Sequence, residues 1–253
     1  MISDLQKASM WKRISAALFD GILVGIVVIG IAYLLSVVTG FDGYSDTVTR
    51  AFADYEQQYG VTFEMTEEQY LAMTEEELAR YNEAYEALCR DTEAMYAYNM
   101  MLNLTLMIAS IGTLAGFLIM EFFVPLLLGN GQTLGKKIFG VCLMRTDGIK
   151  VNGPLLFIRT VLGKYTIETM VPVLILVMIF FNMVGIVGTV VLALIGLLQI
   201  ILLAVTQTNS LIHDLLAKTV VVDYQSQRIF DSEEEMLEYK KKLHAERAAR
   251  QEY

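Results

Sequence analysis

The sequence predicts an all-α polytopic membrane protein. The expected fold is a four-TM helical bundle with an extracellular helical hairpin insertion and a small cytoplasmic β-hairpin. Three observations predict it. The apolar residues are gathered into long runs, the basic residues border those runs on one side, and the long polar segment between the first two runs is acidic. The chain has 253 residues, 55% of them hydrophobic, against roughly 45–50% in a soluble domain. Its mean hydropathy is +0.49.

The apolar runs are Ile14 to Val38, Leu102 to Leu128 and Met170 to Val205. A hydrocarbon core takes roughly 20 apolar residues per helix, at about 1.5 Å each. The first two runs suit one tilted helix apiece. The first is too long for the apolar core of a signal peptide, about 7–15 residues, and no A-x-A site follows, so it is expected to remain as an anchor. The third holds 36 residues without a charge. As one helix it would reach about 54 Å, well beyond a core of about 30 Å. It is therefore expected to form two helices, broken at Asn182-Met183-Val184-Gly185.

Charge sets the expected orientation. Residues 39–101 carry 14 acids, three arginines and no lysine. Lys7, Lys12 and Arg13 precede the first span, Lys136 to Lys164 lie between the second and third, and Lys218 onward follows the fourth. The positive-inside rule then puts both termini in the cytoplasm and residues 39–101 outside, in a bacterial plasma membrane. The expected segments are 1–38, the N-terminus and first span; 39–101, the insertion; and 102–128, the second span. They continue with 129–167, a cytoplasmic loop; 168–208, a hairpin of the third and fourth spans; and 209–253, a strand and helical tail.

Within the insertion, Val48, Phe52, Tyr55 and Tyr59 share a helical face. Thr66-x-x-Gln69 and Thr74-x-x-Glu77 match capping boxes. The Leu78, Tyr81, Tyr85 and Leu88 seam is expected to run on into the second span. In the loop, β-type runs flank Asp147-Gly148, a hairpin signal, and Thr219 to Asp223 could add a third strand. Pro154 suits the first turn of a helix whose Leu155, Ile158, Leu162 and Tyr165 share a face, as in a helix lying at the membrane interface. Ser232-x-x-Glu235 opens the tail helix.

Charges within apolar segments carry the functional argument, because each costs several kcal/mol unless paired or hydrated. Arg13 and Asp20 lie two turns apart on one face, and Glu121 is expected at a depth similar to Asp20. Asp20 and Glu121 are the candidate ion or proton ligands, since two acids in a poorly hydrated pocket raise one another's pKa. Arg13, Asp214 and His213 are the candidate charge network. The same residues would equally serve as an interhelical salt-bridge frame. Lys136, Lys137 and Arg159 are expected to face anionic lipid headgroups. No metal site or cofactor is implied, because Cys89 and Cys142 fall on opposite sides of the bilayer and no zinc spacing exists. P-loop, G-x-S-x-G and H-E-x-x-H patterns are absent, so no catalytic residue is proposed and no enzyme is expected. The acidic balance excludes a nucleic-acid role.

Three segments together carry a family resemblance. They are Lys12-Arg13-Ile-Ser-Ala-Ala-Leu-Phe-Asp20, Gly131-Gln-Thr133-Leu-Gly135-Lys136-Lys137-Ile-Phe-Gly140 and Leu211-Ile-His213-Asp214-Leu-Leu-Ala-Lys-Thr219. In order and spacing the chain resembles the RDD family of membrane proteins, named for one arginine and two aspartates. The resemblance assigns those roles to Arg13, Asp20 and Asp214, and places Arg159 where a further arginine recurs. The acidic insertion departs from the compact family pattern. The resemblance implies a transport-related activity, including cation/proton exchange. The expected function is thus membrane transport, with protons or monovalent cations as ligands and a homo-oligomer or membrane complex as the assembly. The alternative is a non-transporting accessory or scaffold subunit whose insertion binds a partner.

Overall fold

The computed structural model describes residues 5–251. The outermost ends of the expected terminal segments, 1–4 and 252–253, lie outside the described residues. Among the described residues, four helices are long and apolar enough to cross a membrane: α1 (Met10–Thr39), α5 (Thr92–Leu128), α7 (Gly153–Phe180) and α8 (Gly185–Val205). Their surfaces carry exposed large apolar side chains such as Leu18, Ile22, Ile119, Leu174 and Leu194. Helices are the natural spanning element because each satisfies its backbone polar groups internally, leaving an apolar exterior for lipid. Chain contacts divide the molecule into two units, Val28–Thr113 and the remainder.

The Val28–Thr113 unit contains the insertion, with α2 (Phe41–Tyr59), α3 (Glu67–Leu71) and α4 (Glu75–Arg90). Both expected capping boxes form, at Thr66 with Gln69 and at Thr74 with Glu77. The aromatic faces of α2 and α4 meet through a loop residue, Phe63, whose ring packs edge-on against Phe52, Tyr81 and Tyr85. The α4 seam does not run unbroken into α5. Asp91 turns the chain out of α4 and accepts from the backbone N–H groups of Glu93 and Ala94, capping α5 anew.

In the other unit, the Thr133 hydroxyl caps a short helix, α6 (Leu134–Ile138), which leads into β1 (Val141–Arg145). The unit continues through α7 and α8 to α9 (Ile212–Leu216), β2 (Thr219–Asp223) and α10 (Glu233–Gln251). The small sheet is antiparallel, in the register Val141↔Asp223 to Arg145↔Thr219. Its β1 partner is thus the distant β2, not the local limb after Asp147-Gly148. That turn does close, with Gly148 N–H on the Arg145 carbonyl. The returning limb adds one bridge, Met144↔Lys150, because Lys150 N–H goes to the Phe230 carbonyl instead. Alternation along the strands builds two cores. Val141, Leu143 and Val221 join Ala8, Ala16 and Leu156 on one face, while Cys142, Met144, Val220 and Val222 pack on the other.

Two features of the third apolar run bear on the site. The break falls where expected, with Asn182 and Gly185 at φ 53° and 48°. Asn and Gly are the residues that enter this left-handed region most readily. The helix that holds the expected third span, however, does not begin near 168. α7 is continuous from Gly153, capped by the Asn152 side chain, and carries Arg159, Lys164 and Glu168 within it. The helix expected to begin at Pro154 is thus not a separate element but the first part of α7. Hydropathy counts these three charges as a boundary, whereas the fold keeps the helix intact by burying or partly burying them against opposite charges.

Candidate functional site

Two helical stretches with widened turns build the site. Within α5, residues Leu118–Phe123 form a π-helical segment, and within α7 residues Ile158–Met170 form a longer one. The Val124 and Val171 N–H groups reach back five residues, to Ile119 and Thr166. Such segments are rare and recur at functional sites. At 3.6 residues per turn, side chains five apart would point about 140° apart. In the widened register Arg159, Lys164 and Thr169 instead line one cavity.

This cavity has a volume of about 500 Å³. Apolar residues such as Met10, Ile14, Val24 and Leu203 line part of it. Four basic side chains, Arg13, Lys136, Arg159 and Lys164, and four acidic ones, Asp20, Glu121, Glu168 and Asp214, also line it, together with His213.

Glu121 is 4% exposed and faces three cations. Lys164 Nζ lies 2.5 Å from Oε1, while Lys136 Nζ and Arg159 Nη1 each lie 3.9 Å from Oε2. Asp214, 1% exposed, accepts from Arg159 Nε at 3.0 Å and from the Thr219 hydroxyl at 3.1 Å. Its Oδ2 lies 3.8 Å from Arg13 Nη2 and 3.5 Å from His213 Nε2. Among the described residues, Glu121 Oε2 and Asp214 Oδ2 are buried without a hydrogen-bond donor. Burial works to raise the Asp214 carboxyl, but Arg159, His213 and Arg13 more than offset it and hold the group well below the usual carboxylate range. Burial pushes the Lys136 ammonium down to about 8, against the upward pull of Glu121.

Asp20 does something different. Its carboxylate accepts from the Thr133 hydroxyl and, at 2.8 Å, from Gly135 N–H. It therefore pins the start of α6 against α1. Gly135 permits this approach, since a Cβ there would lie 2.5 Å from the Ala16 carbonyl oxygen. Lys136 Nζ donates back to Thr133 Oγ1 at 3.2 Å. The short segment Thr133-Leu-Gly135-Lys136 thus joins α1 to the charge network.

The structure brings Arg13, His213 and Asp214 together, as one network with Arg159. It does not bring Asp20 and Glu121 together as a pair of acids. Each is engaged separately, Asp20 by hydrogen-bond donors and Glu121 by three cations. Two of the three residues expected to face lipid are also corrected. Lys136 and Arg159 are 7% and 2% exposed. They lie inside because buried carboxylates need their charge, while Lys137 is exposed. Sequence reasoning missed Glu168 and the inward role of Lys164. Both stand just before an apolar run, and a third span begun at Pro154 would have marked them as intramembrane charges. Glu168 clamps His213, accepting its backbone N–H at 3.1 Å and facing Nδ1 at 2.7 Å. Gly163 makes room for this, because a Cβ there would lie 2.5 Å from the His213 Cβ.

With the site in view, comparison with known proteins gives one decisive match. The model of the RDD family matches residues 7–218. The chain belongs to the RDD family. The match runs from the segment before Arg13 to just past Asp214, so it contains every residue of the cavity described above except Val221. No curated protein and no solved structure matches the chain. As an RDD family protein with four apolar helices it is a multi-pass membrane protein in contact with lipid. Among the described residues no group of three or more His, Cys, Asp or Glu side chains is placed to hold a metal ion.

Proposed function

We propose that this RDD family protein is a plasma-membrane transporter, working by ion exchange coupled to protons. The termini and the 129–152 loop would lie in the cytoplasm and the acidic insertion outside. The observation that carries the reading is the cavity of about 500 Å³ reaching charges of both signs, with two buried carboxylate oxygens lacking a donor. Buried ion pairs often stabilise a fold less than apolar residues of the same volume. A cluster of eight charged side chains beside an open cavity is therefore better explained by a ligand than by stability. On this proposal Asp20 anchors α6, and the coupling role falls to Glu121 and the Asp214 cluster. In this reading Arg13 and Asp214 form the inner gate, and copies of the chain assemble as a homo-oligomer. Catalysis plays no part in it.

The test is flux in proteoliposomes under an imposed pH gradient, with Na⁺, K⁺ and Li⁺ offered in turn. Folded wild type should exchange at least one of them, and folded Glu121→Gln should lose most of that flux. No flux for any cation from folded wild type would defeat cation exchange.

A second reading is a non-transporting accessory subunit. It is favoured by the opposite charges that surround Glu121, Asp214 and Arg159, which suit a static frame. A stable partner bound to the insertion, without flux, would support it.

A further inference from the structure

The most unusual contact in the network lies between His213 and Asp214. Glu168 holds the ring from one side, with its Oε2 2.7 Å from Nδ1. A carboxylate so close requires a proton on Nδ1, which makes the neutral ring the Nδ1–H tautomer. The Nε2 lone pair then faces Asp214 Oδ2 at 3.5 Å. Two acceptors confront one another in a buried site, and Oδ2 has no donor among the described residues. The contact is repulsive as it stands, and one proton would turn it into a charge-assisted hydrogen bond.

We propose that the gap between His213 Nε2 and Asp214 Oδ2 is a proton-binding site, in which one proton taken up from the cavity converts the imidazole into an imidazolium bridging Glu168 and Asp214. The proton leaves a hydronium ion of the surrounding water, which becomes water, and forms an N–H bond at Nε2. His213 and Asp214 both line the cavity, which provides the route. The neighbouring charges set how readily the site fills. Burial opposes the imidazolium most, and Arg159 and Lys164 add to it, while Asp214 and the hydrogen bond with Glu168 favour it. Arg13 opposes it indirectly, since Nη2 already neutralises Asp214 Oδ2 from 3.8 Å. On α8, Gln199 adds an uncharged contact, its Oε1 accepting from Ile212 N–H at 3.4 Å. With four basic and four acidic side chains around it, the bound proton would leave the cluster with one net positive charge. Arg13 and His213 would then compete for one carboxylate oxygen, which links proton uptake to the Arg13–Asp214 contact.

This site belongs to the network on which the transport reading rests, but its titration is read without flux, so the two can fail separately. The chain has two histidines, and His244→Gln leaves His213 as the single imidazole. The protein, labelled at histidine with carbon-13 and nitrogen-15, would be titrated by NMR in lipid nanodiscs from about pH 4.5 to 8.5. The expected result is a one-proton step at His213 with a midpoint below the ordinary 6.5. Arg13→Gln should raise that midpoint, and Asp214→Asn should lower it by more than about one pH unit. Arg13 is the more exposed of the two, so its variant keeps the test open if Asp214→Asn does not fold. A ring that stays neutral throughout in folded protein would overturn the proposal. So would a midpoint that moves in Glu168→Gln but in neither other variant, because the proton would then belong to the opposite edge of the ring.

Discussion

Asp214 shows at the scale of one residue how much the fold adds to a local pattern. In the sequence it is an acid just past an apolar run. In the fold it is the acceptor for Arg159 and Thr219 and the neighbour of Arg13 and His213. Asp214→Asn should cost about 3–5 kcal/mol, the usual loss when one partner of a buried pair is removed. The sign of its pH dependence follows from the depressed carboxyl. Its stabilisation is complete above the ordinary value of 3.8 and fades as pH falls through the lower folded value. Acid denaturation of the wild type in detergent should therefore lose an increment that Asp214→Asn lacks. Lys136 works the other way. Its folded pKa, about 8, lies below the ordinary 10.5, so holding it charged is a cost below pH 8 that disappears as pH rises between those values. Thermal melting should show wild type gaining on Lys136→Met across that window. Gly163→Ala forces a Cβ against His213 and should destabilise by about 1–3 kcal/mol.

Elements decide which residues share a face. The capping boxes at Thr66 and Thr74 were legible because their chemistry is local: a hydroxyl and a carboxyl or amide three residues apart close the same turn. Asp91 was not, since a cap in the middle of a helical seam is indistinguishable from a solvated acid. Asp91→Ala should lower stability by about 1 kcal/mol, read as a drop in melting temperature. The π-helical register of α7 was also hidden. Periods of 2 and 3.6 are what sequence patterns reveal, and a five-residue recurrence of Arg159, Lys164 and Thr169 matches neither. Thr133 ties elements together, its hydroxyl capping α6 while bonding Asp20. Thr133→Val removes both roles and should cost about 1–3 kcal/mol, as expected when buried partners are left unsatisfied.

At the scale of the whole molecule, composition accounts for the membrane architecture and the placement of charge for the proposed orientation. Cys89 is exposed in the insertion, while Cys142 is fully buried in the small sheet. With the proposed orientation, a membrane-impermeant maleimide should label Cys89 in intact cells. Cys142 should stay unlabelled until the protein unfolds, because burial both shields the thiol and pushes its pKa up to about 12. Labelling of Cys89 only after the membrane is opened would reverse the proposed topology.

By itself the sequence determined the four apolar helices, the break at Asn182, the helical insertion and the family, because each depends on hydrophobic length, local turn chemistry or a linear motif. It also singled out Arg13, Asp20, Glu121 and Asp214 as charges that needed an explanation. Only the tertiary structure decided their partners. Whether a buried carboxylate meets another acid, a backbone N–H or three cations depends on helix register and on contacts between residues far apart in the chain. Glu121 with Lys164, Asp20 with Gly135, and His213 with Glu168 are separated by 43, 115 and 45 positions. No local pattern encodes those distances, and they turn an expected pair of acids into a cavity balanced between both signs of charge.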